Sequence, residues 1–156
     1  EFTIVATGVL NANGLILSPD EQTLYIGTCY GSLWLENPIA IYGVDRLGED
    51  EWAEPRAVLE AADQPCYDAI NVDICGNIYV ADYDTGWNAS INRLSADGTQ
   101  FDVIADVDSE WVPNMRWGNG IGGWETDVLY AADRFEGLLF ALDMGIEGKP
   151  HLLAAD

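Results

Sequence analysis

An all-β chain of repeated sheets is what this sequence predicts, and three observations carry that prediction. Short β-branched and aromatic runs at 23–26, 39–42, 78–80, 128–130 and 138–140 lie between clusters of Gly, Asp, Asn and Pro, the pattern of strands separated by tight turns. A unit of polar residue, strand, turn and Tyr-bearing strand recurs three times, with Tyr25, Tyr79 and Tyr130 spaced about 50 residues apart. A further hairpin-like stretch follows each unit, clearest at 90–99 with its Asp97-Gly98 turn. Four strands in a repeat of about 40 to 50 residues describe a propeller blade. A β-sandwich would also give short strands, but without this recurrence.

Taken in order, the first repeat spans roughly residues 1–60 and opens with NGLILSPDEQTLYI at 13–26. Within it, 55–62 (PRAVLEAA) has a helix-like composition without convincing caps and reads equally as a strand. The second repeat, roughly 61–107, opens with DAINVDICGNIYV at 68–80, and the third, roughly 108–156, with PNMRW at 113–117 followed by DVLYA at 127–131. About three blades are present, fewer than the four to eight that close a ring and bury the outer edges.

Of 156 residues, 27 are Asp or Glu and 6 are Lys or Arg, a net charge of −21. Such a surface repels nucleic acid, whose binding runs on counterion release by Lys and Arg, and disfavours an anionic membrane face. With 49% hydrophobic and 11% aromatic residues the chain can fill a core, so the acidity reads as a solubilising surface rather than as disorder. No apolar run approaches the roughly 18 to 20 residues of a membrane span. The chain opens without Met and without a leader, as expected of a processed export or a piece of a longer gene, and localisation stays open between export and cytoplasm. Cys29, Cys66 and Cys75 make neither a disulfide framework nor a spaced zinc site. The single histidine, His151, leaves little for a Ser-His-Asp or Cys-His mechanism.

The repeat segments carry a resemblance. Asn13-Gly14-Leu15 with SPD at 18–20 and LY at 24–25, then DAINVD at 68–73 with GNIYVA at 76–81, then Pro113-Asn114, Trp117-Gly118, VLY at 128–130, GLLFALD at 137–143 and GIEGKP at 145–150 together resemble the senescence marker protein (regucalcin) and gluconolactonase family. That family consists of six-bladed propellers that hydrolyse sugar lactones and related esters. The similarity runs through nearly the whole chain but covers only the C-terminal half of the family. The resemblance implies that the family's metal-ligand Asn falls on Asn13, that its metal-ligand and catalytic Asp falls on Asp68, and that an axis-facing, substrate-side position falls on Asn114. It implies a divalent metal ion, Ca²⁺ first, with Mg²⁺, Mn²⁺ or Zn²⁺ as alternatives, since a carboxylate and amide carbonyls are hard oxygen donors. In an intact relative such a metal polarises the lactone carbonyl, and the Asp orients or deprotonates the attacking water. The family's first-blade Glu ligand, and a substrate-contacting Asn and often Arg in the blades between, have no counterpart here.

The expected partners are therefore a small lactone or ester and either a second copy, giving a two-fold six-bladed ring, or a missing N-terminal half; an open three-bladed unit that merely folds is the third possibility. The alternative function is a non-catalytic binding or scaffold module, in which divalent-cation binding survives without chemistry. A strictosidine-synthase-like propeller shares the strand pattern, but no catalytic Glu can be placed. Each site residue also has a plain structural reading: Asn13-Gly14 as a hairpin turn, Asp68 as a turn cap, and Asn114 after Pro113 as a turn residue. The 82–88 stretch (DYDTGWN) has oxygen ligands at alternate positions without the closing Glu of a calcium loop. Asp133-Arg134 suggests a local ion pair on a polar rim. Trp34, Trp52, Trp87, Trp111, Trp117 and Trp124 read as core and inter-blade packing, with one or two at a pocket edge. Asn88-Ala89-Ser90 fits a glycosylation sequon. Cys29 ends the second strand of one repeat and Cys66 precedes the next, so a disulfide between them and two buried free thiols are both open.

Overall fold

The computed structural model describes residues 3–29, 39–60, 66–83 and 88–150; Trp34, Trp87, His151 and residues 84–87 of the calcium-loop-like stretch lie outside them. The described residues form eleven strands and no helix. The first sheet joins β1 (Ala12–Leu17), β2 (Thr23–Thr28), β3 (Ala40–Asp45) and β4 (Arg56–Glu60) in sequence order. The second joins β5 (Cys66–Val72), β6 (Ile78–Tyr83), β7 (Ala89–Leu94) and β8 (Phe101–Asp106) in the same way. The third holds β9 (Asn114–Trp117), β10 (Val128–Ala132) and β11 (Leu139–Asp143). Every pairing is antiparallel between neighbours in sequence, the meander of a propeller blade. The chain is a partial β-propeller.

The segment with helix-like composition is a strand. Ala57 pairs with Tyr42, and Arg56 pairs with Gly43 while its guanidinium forks onto the Asp45 carboxylate at 3.0 and 3.2 Å. A short run without caps has no helix nucleus of its own, and the open edge of β3 decides its conformation.

The first two blades repeat each other down to their irregularities. In β1, Asn13 and Gly14 together stand against the single Gly27; in β5, Asp68 and Ala69 stand against the single Ala81. A second shift recurs between the third and fourth strands, where Val58 and Ile104 are the extra residues. These are β-bulges, which bend the strand and re-aim a side chain. The third blade has no inner bulge: Asn114 pairs directly with Ala132, and Met115 with Ala131.

The core lies between blades, and period-two alternation divides it. On the second blade Tyr67, Ile70, Val72, Ile78, Val80 and Leu94 face the first, where Ile16, Tyr25 and Ile41 meet them. Ala69, Tyr79, Ala81, Ala89 and Ile91 face the third, against Met115, Trp117, Leu129 and Ala131. Strand β5 is consequently buried at every residue and lies between β1 and β9, so the three innermost strands run side by side. Each Ile, Val or Leu so covered contributes about 1.5–3 kcal/mol. The β5–β6 turn closes on Asp73, whose carboxylate accepts the backbone N–H of Cys75 (2.9 Å) and Asn77 (3.0 Å), the Asn77 amide (2.6 Å) and the Tyr79 hydroxyl (2.9 Å). The C-terminal tail straps this end: Ile74 donates to the Glu147 carbonyl at 2.9 Å, Lys149 donates to that of Val72 at 3.0 Å, and the Lys149 ammonium reaches Glu21 at 3.2 Å.

Candidate functional site

The two matched bulges bring two of the three expected residues together. A Cβ on Gly14 would run into the Asp68 backbone carbonyl, and one on Gly27 into that of Tyr67. Gly14 is therefore required by close approach of β1 to β5, not by a hairpin turn. Asn13 and Asp68 lie side by side as a result, and Asn13 is among the polar groups that favour the charged form of the Asp68 carboxyl. Asn114 stands on the third inner strand, exposed and without a bulge to re-aim it.

Asp68 is only 5% exposed. Its Oδ2 accepts the indole Nε1–H of Trp111, a residue that nothing in the sequence singles out from the other tryptophans. Its position is legible only in hindsight: it lies just ahead of Pro113-Asn114, where the chain enters the third inner strand. Arg134 lies over the Trp111 ring, Cζ to centroid 4.2 Å, and its backbone N–H donates to the Trp111 carbonyl at 3.1 Å. Tyr83 tilts against the same indole at 5.2 Å and Phe135 meets it edge-on at 6.2 Å. Asp133 does not form the expected local pair with Arg134; its carboxylate accepts the Ser109 hydroxyl and the backbone N–H groups of Glu136 and Gly137.

Burial pushes the Asp68 carboxyl above its ordinary range, against the opposing pull of the Trp111 hydrogen bond, the Arg134 charge and the Asn13 hydrogen bond. The Tyr83 hydroxyl is raised by burial and by the Asp68 charge, while Arg134 opposes the shift. A carboxyl lifted in this way exchanges a proton nearer neutral pH than a solvated one does, as acid–base chemistry requires.

Cys29 and Cys66 face each other as an antiparallel bridge pair and form a disulfide; of the two arrangements left open by the sequence, the structure has the bonded one. Asn13 Nδ2 donates to Cys29 Sγ at 3.2 Å. Cys75 is an exposed free thiol.

A divalent cation fits this donor set incompletely. Among the described residues no three of His, Cys, Asp and Glu lie close enough to share a metal ion. Asp68 and Asn13 offer one carboxylate and one amide, and one carboxylate oxygen already accepts from Trp111. Calcium takes about 6 to 8 oxygen ligands, so these residues alone do not make its site. A mostly apolar cavity of about 230 Å³, lined by Arg116, Trp117, Asn119, Trp124 and Tyr130, lies elsewhere, beyond the far end of β9.

Residues 1–130 match the family profile described as an SMP-30/Gluconolactonase/LRE-like region. No protein of curated function matches the sequence. Among solved structures, a gluconolactonase from Xanthomonas campestris superposes with a TM-score of 0.65 at 17% identity, over 92% of this chain and 40% of that one. Regucalcin from Agrobacterium tumefaciens, a calcium-binding protein, superposes with a TM-score of 0.57 at 17% identity, over 90% of this chain and 47% of that one. The chain thus spans less than half the length of both structures.

Proposed function

Because the chain belongs to the SMP-30/gluconolactonase/LRE-like family, we propose that it is half of a lactone-hydrolysing propeller in which Asp68 is the acid–base residue. The observation that carries this reading is the buried Asp68 carboxyl, set on a bulge that the neighbouring blade duplicates at Asn13. As a carboxylate, Asp68 takes a proton from the water that attacks the lactone carbonyl, and as the acid it returns a proton to the ring oxygen on opening. Trp111 and Asn13 hold the carboxylate in place, and Asn114 contacts the substrate from the adjoining strand. Asn13 and Asp68 are the residues of this chain that would hold the family's divalent ion, calcium first and magnesium, manganese or zinc otherwise, and the part that completes the ring would have to supply the remaining ligands.

That part is three further blades, supplied by a second copy or by an N-terminal half. Leu15 is 65% exposed, whereas Ile70, which holds the same place in the second blade, is 6% exposed because the first blade covers it. The leading face of the first blade is of the kind that receives another blade.

The test is turnover of a panel of sugar lactones by the purified chain with each of the four metals added, for wild type and Asp68→Asn. Metal-dependent hydrolysis lost in the variant supports the reading; background turnover by a ring shown to be complete overturns it. The second reading, a binding or scaffold module, is favoured by Arg134 and the Trp111 N–H beside Asp68, which satisfy its charge without a cation. Cation or ligand binding without hydrolysis would support that one.

A further inference from the structure

We infer that the Cys29–Cys66 disulfide is a redox-sensitive positioning device for the Asn13–Asp68 pair: oxidised, it holds Asn13 against Asp68, and reduced, it lets Asn13 go. The regulatory meaning rests on the lactonase reading; the structural claim does not.

Three observations converge on the same few ångströms. The disulfide joins the residue that follows β2 to the first residue of β5, immediately beside both bulges. At this end the first blade presents Gly14 and Gly27 to β5, so it has no side chains to interlock with its neighbour. The covalent link supplies what packing cannot. The Asn13 side chain is itself exposed, so no surrounding core fixes its rotamer; its amide is aimed by the bond it donates to Cys29 Sγ at 3.2 Å, beside the Asp68 carboxyl that it helps to keep charged. That acceptor is a sulfur of the disulfide itself.

The two sulfurs differ in access: Cys29 is half-buried, whereas Cys66 is fully buried. A small-molecule thiolate therefore attacks Cys29 Sγ, forming a mixed disulfide and releasing the Cys66 thiolate, which takes up a proton. A second thiol resolves the mixed disulfide. In sum, two thiols become one small-molecule disulfide, and the protein disulfide becomes two thiols by gaining two electrons and two protons. The reverse exchange with a small-molecule disulfide restores the clamp. Freed from its partner, the Cys29 sulfur no longer fixes the Asn13 amide, and the first blade slackens against the start of β5.

The experiment uses the full chain carrying Cys75→Ser, isolated without reductant, so that only this pair reports. Alkylation with iodoacetamide in denaturant should add no label before treatment with tris(2-carboxyethyl)phosphine and two labels after it; two labels beforehand overturn the inference. The side-chain amide signals of Asn13, assigned by their loss in Asn13→Ala, should shift and exchange faster with solvent on reduction. Those of Asn71, buried and bonded to the Met115 carbonyl at 3.1 Å, should stay in place. Unmoved Asn13 signals, or equal movement of both, overturn the positioning role. Where the chain turns over a lactone, reduction should lower kcat roughly tenfold, as expected of a misplaced catalytic pair. If a ring shown to be complete turns over no lactone in either redox form, the lactonase reading fails, while the label count and the amide signals still decide this one.

Discussion

At Asp68 a carboxylate and an indole depend on each other, and this makes the consequences of substitution separable. Asp68→Ala leaves the Trp111 N–H without its acceptor and should cost about 1–3 kcal/mol, the penalty of an unpaired buried donor. Asp68→Asn keeps an acceptor oxygen in place and should cost clearly less. Urea midpoints of the two variants measure the difference, while lactone turnover should be lost equally in both. The sequence could mark Asp68 because its type and place in the repeat are both legible. It could not mark Trp111, because an indole reads as packing until its N–H is seen to have a carboxylate partner. Arg134 is hidden for a related reason: adjacency along the chain points to Asp133, but Asp133 closes its own turn and the guanidinium settles on the Trp111 ring.

At the scale of elements, one turn is built twice. Ser18–Asp20 between β1 and β2, and Ser95–Asp97 between β7 and β8, both hydrogen-bond the Asp carboxylate to the Ser hydroxyl at 2.6 Å. Each turn then places a residue in the left-handed region, Glu21 at φ 58° and Gly98 at φ 71°. Nothing surrounds a Cβ at Gly98, so Gly98→Ala should cost about 1 kcal/mol from backbone strain alone. Glu21→Gly should recover about the same, less the ~0.5 kcal/mol of a half-buried ion pair with Lys149; paired thermal melts check both signs. Hydrogen bonds from Ser95 and Thr99 hold the Asp97 carboxyl down to about 2. Its contribution is therefore complete above the ordinary 3.8 and is lost as pH falls through about 2. Carbon-13 titration of that carboxyl should show the low value, and Ser95→Ala should move it upward. Hairpins of this kind were readable from Ser, Asp and Gly at turn spacing. The bulges were not, because a two-against-one register depends on the partner strand and leaves no mark on either strand alone.

At the scale of the whole molecule, the acidic surface and the incomplete ring act against each other. A net charge of −21 opposes both compaction and the meeting of two copies, and salt screens such repulsion within a Debye length of about 8–10 Å at physiological strength. The thermal midpoint should therefore rise between 20 mM and 500 mM NaCl. If a second copy completes the ring, light scattering should show the dimer gaining over the same range; a mass that stays monomeric throughout would overturn completion by a second copy. Blade number and order were legible because the Tyr-bearing unit recurs. The closeness of the first two blades was not, since it depends on glycine backbones meeting carbonyls at Gly14 and Gly27. The disulfide has one more consequence. It ties Cys29 to Cys66, 37 residues apart, and so turns β3, β4 and their connections into a covalent loop hung from the start of β5. A protease that cuts anywhere in that loop opens a ring without parting the molecule. The nicked protein would run as one band on an unreduced gel and as two after reduction, with β1 and β2 in one piece and the second and third blades in the other.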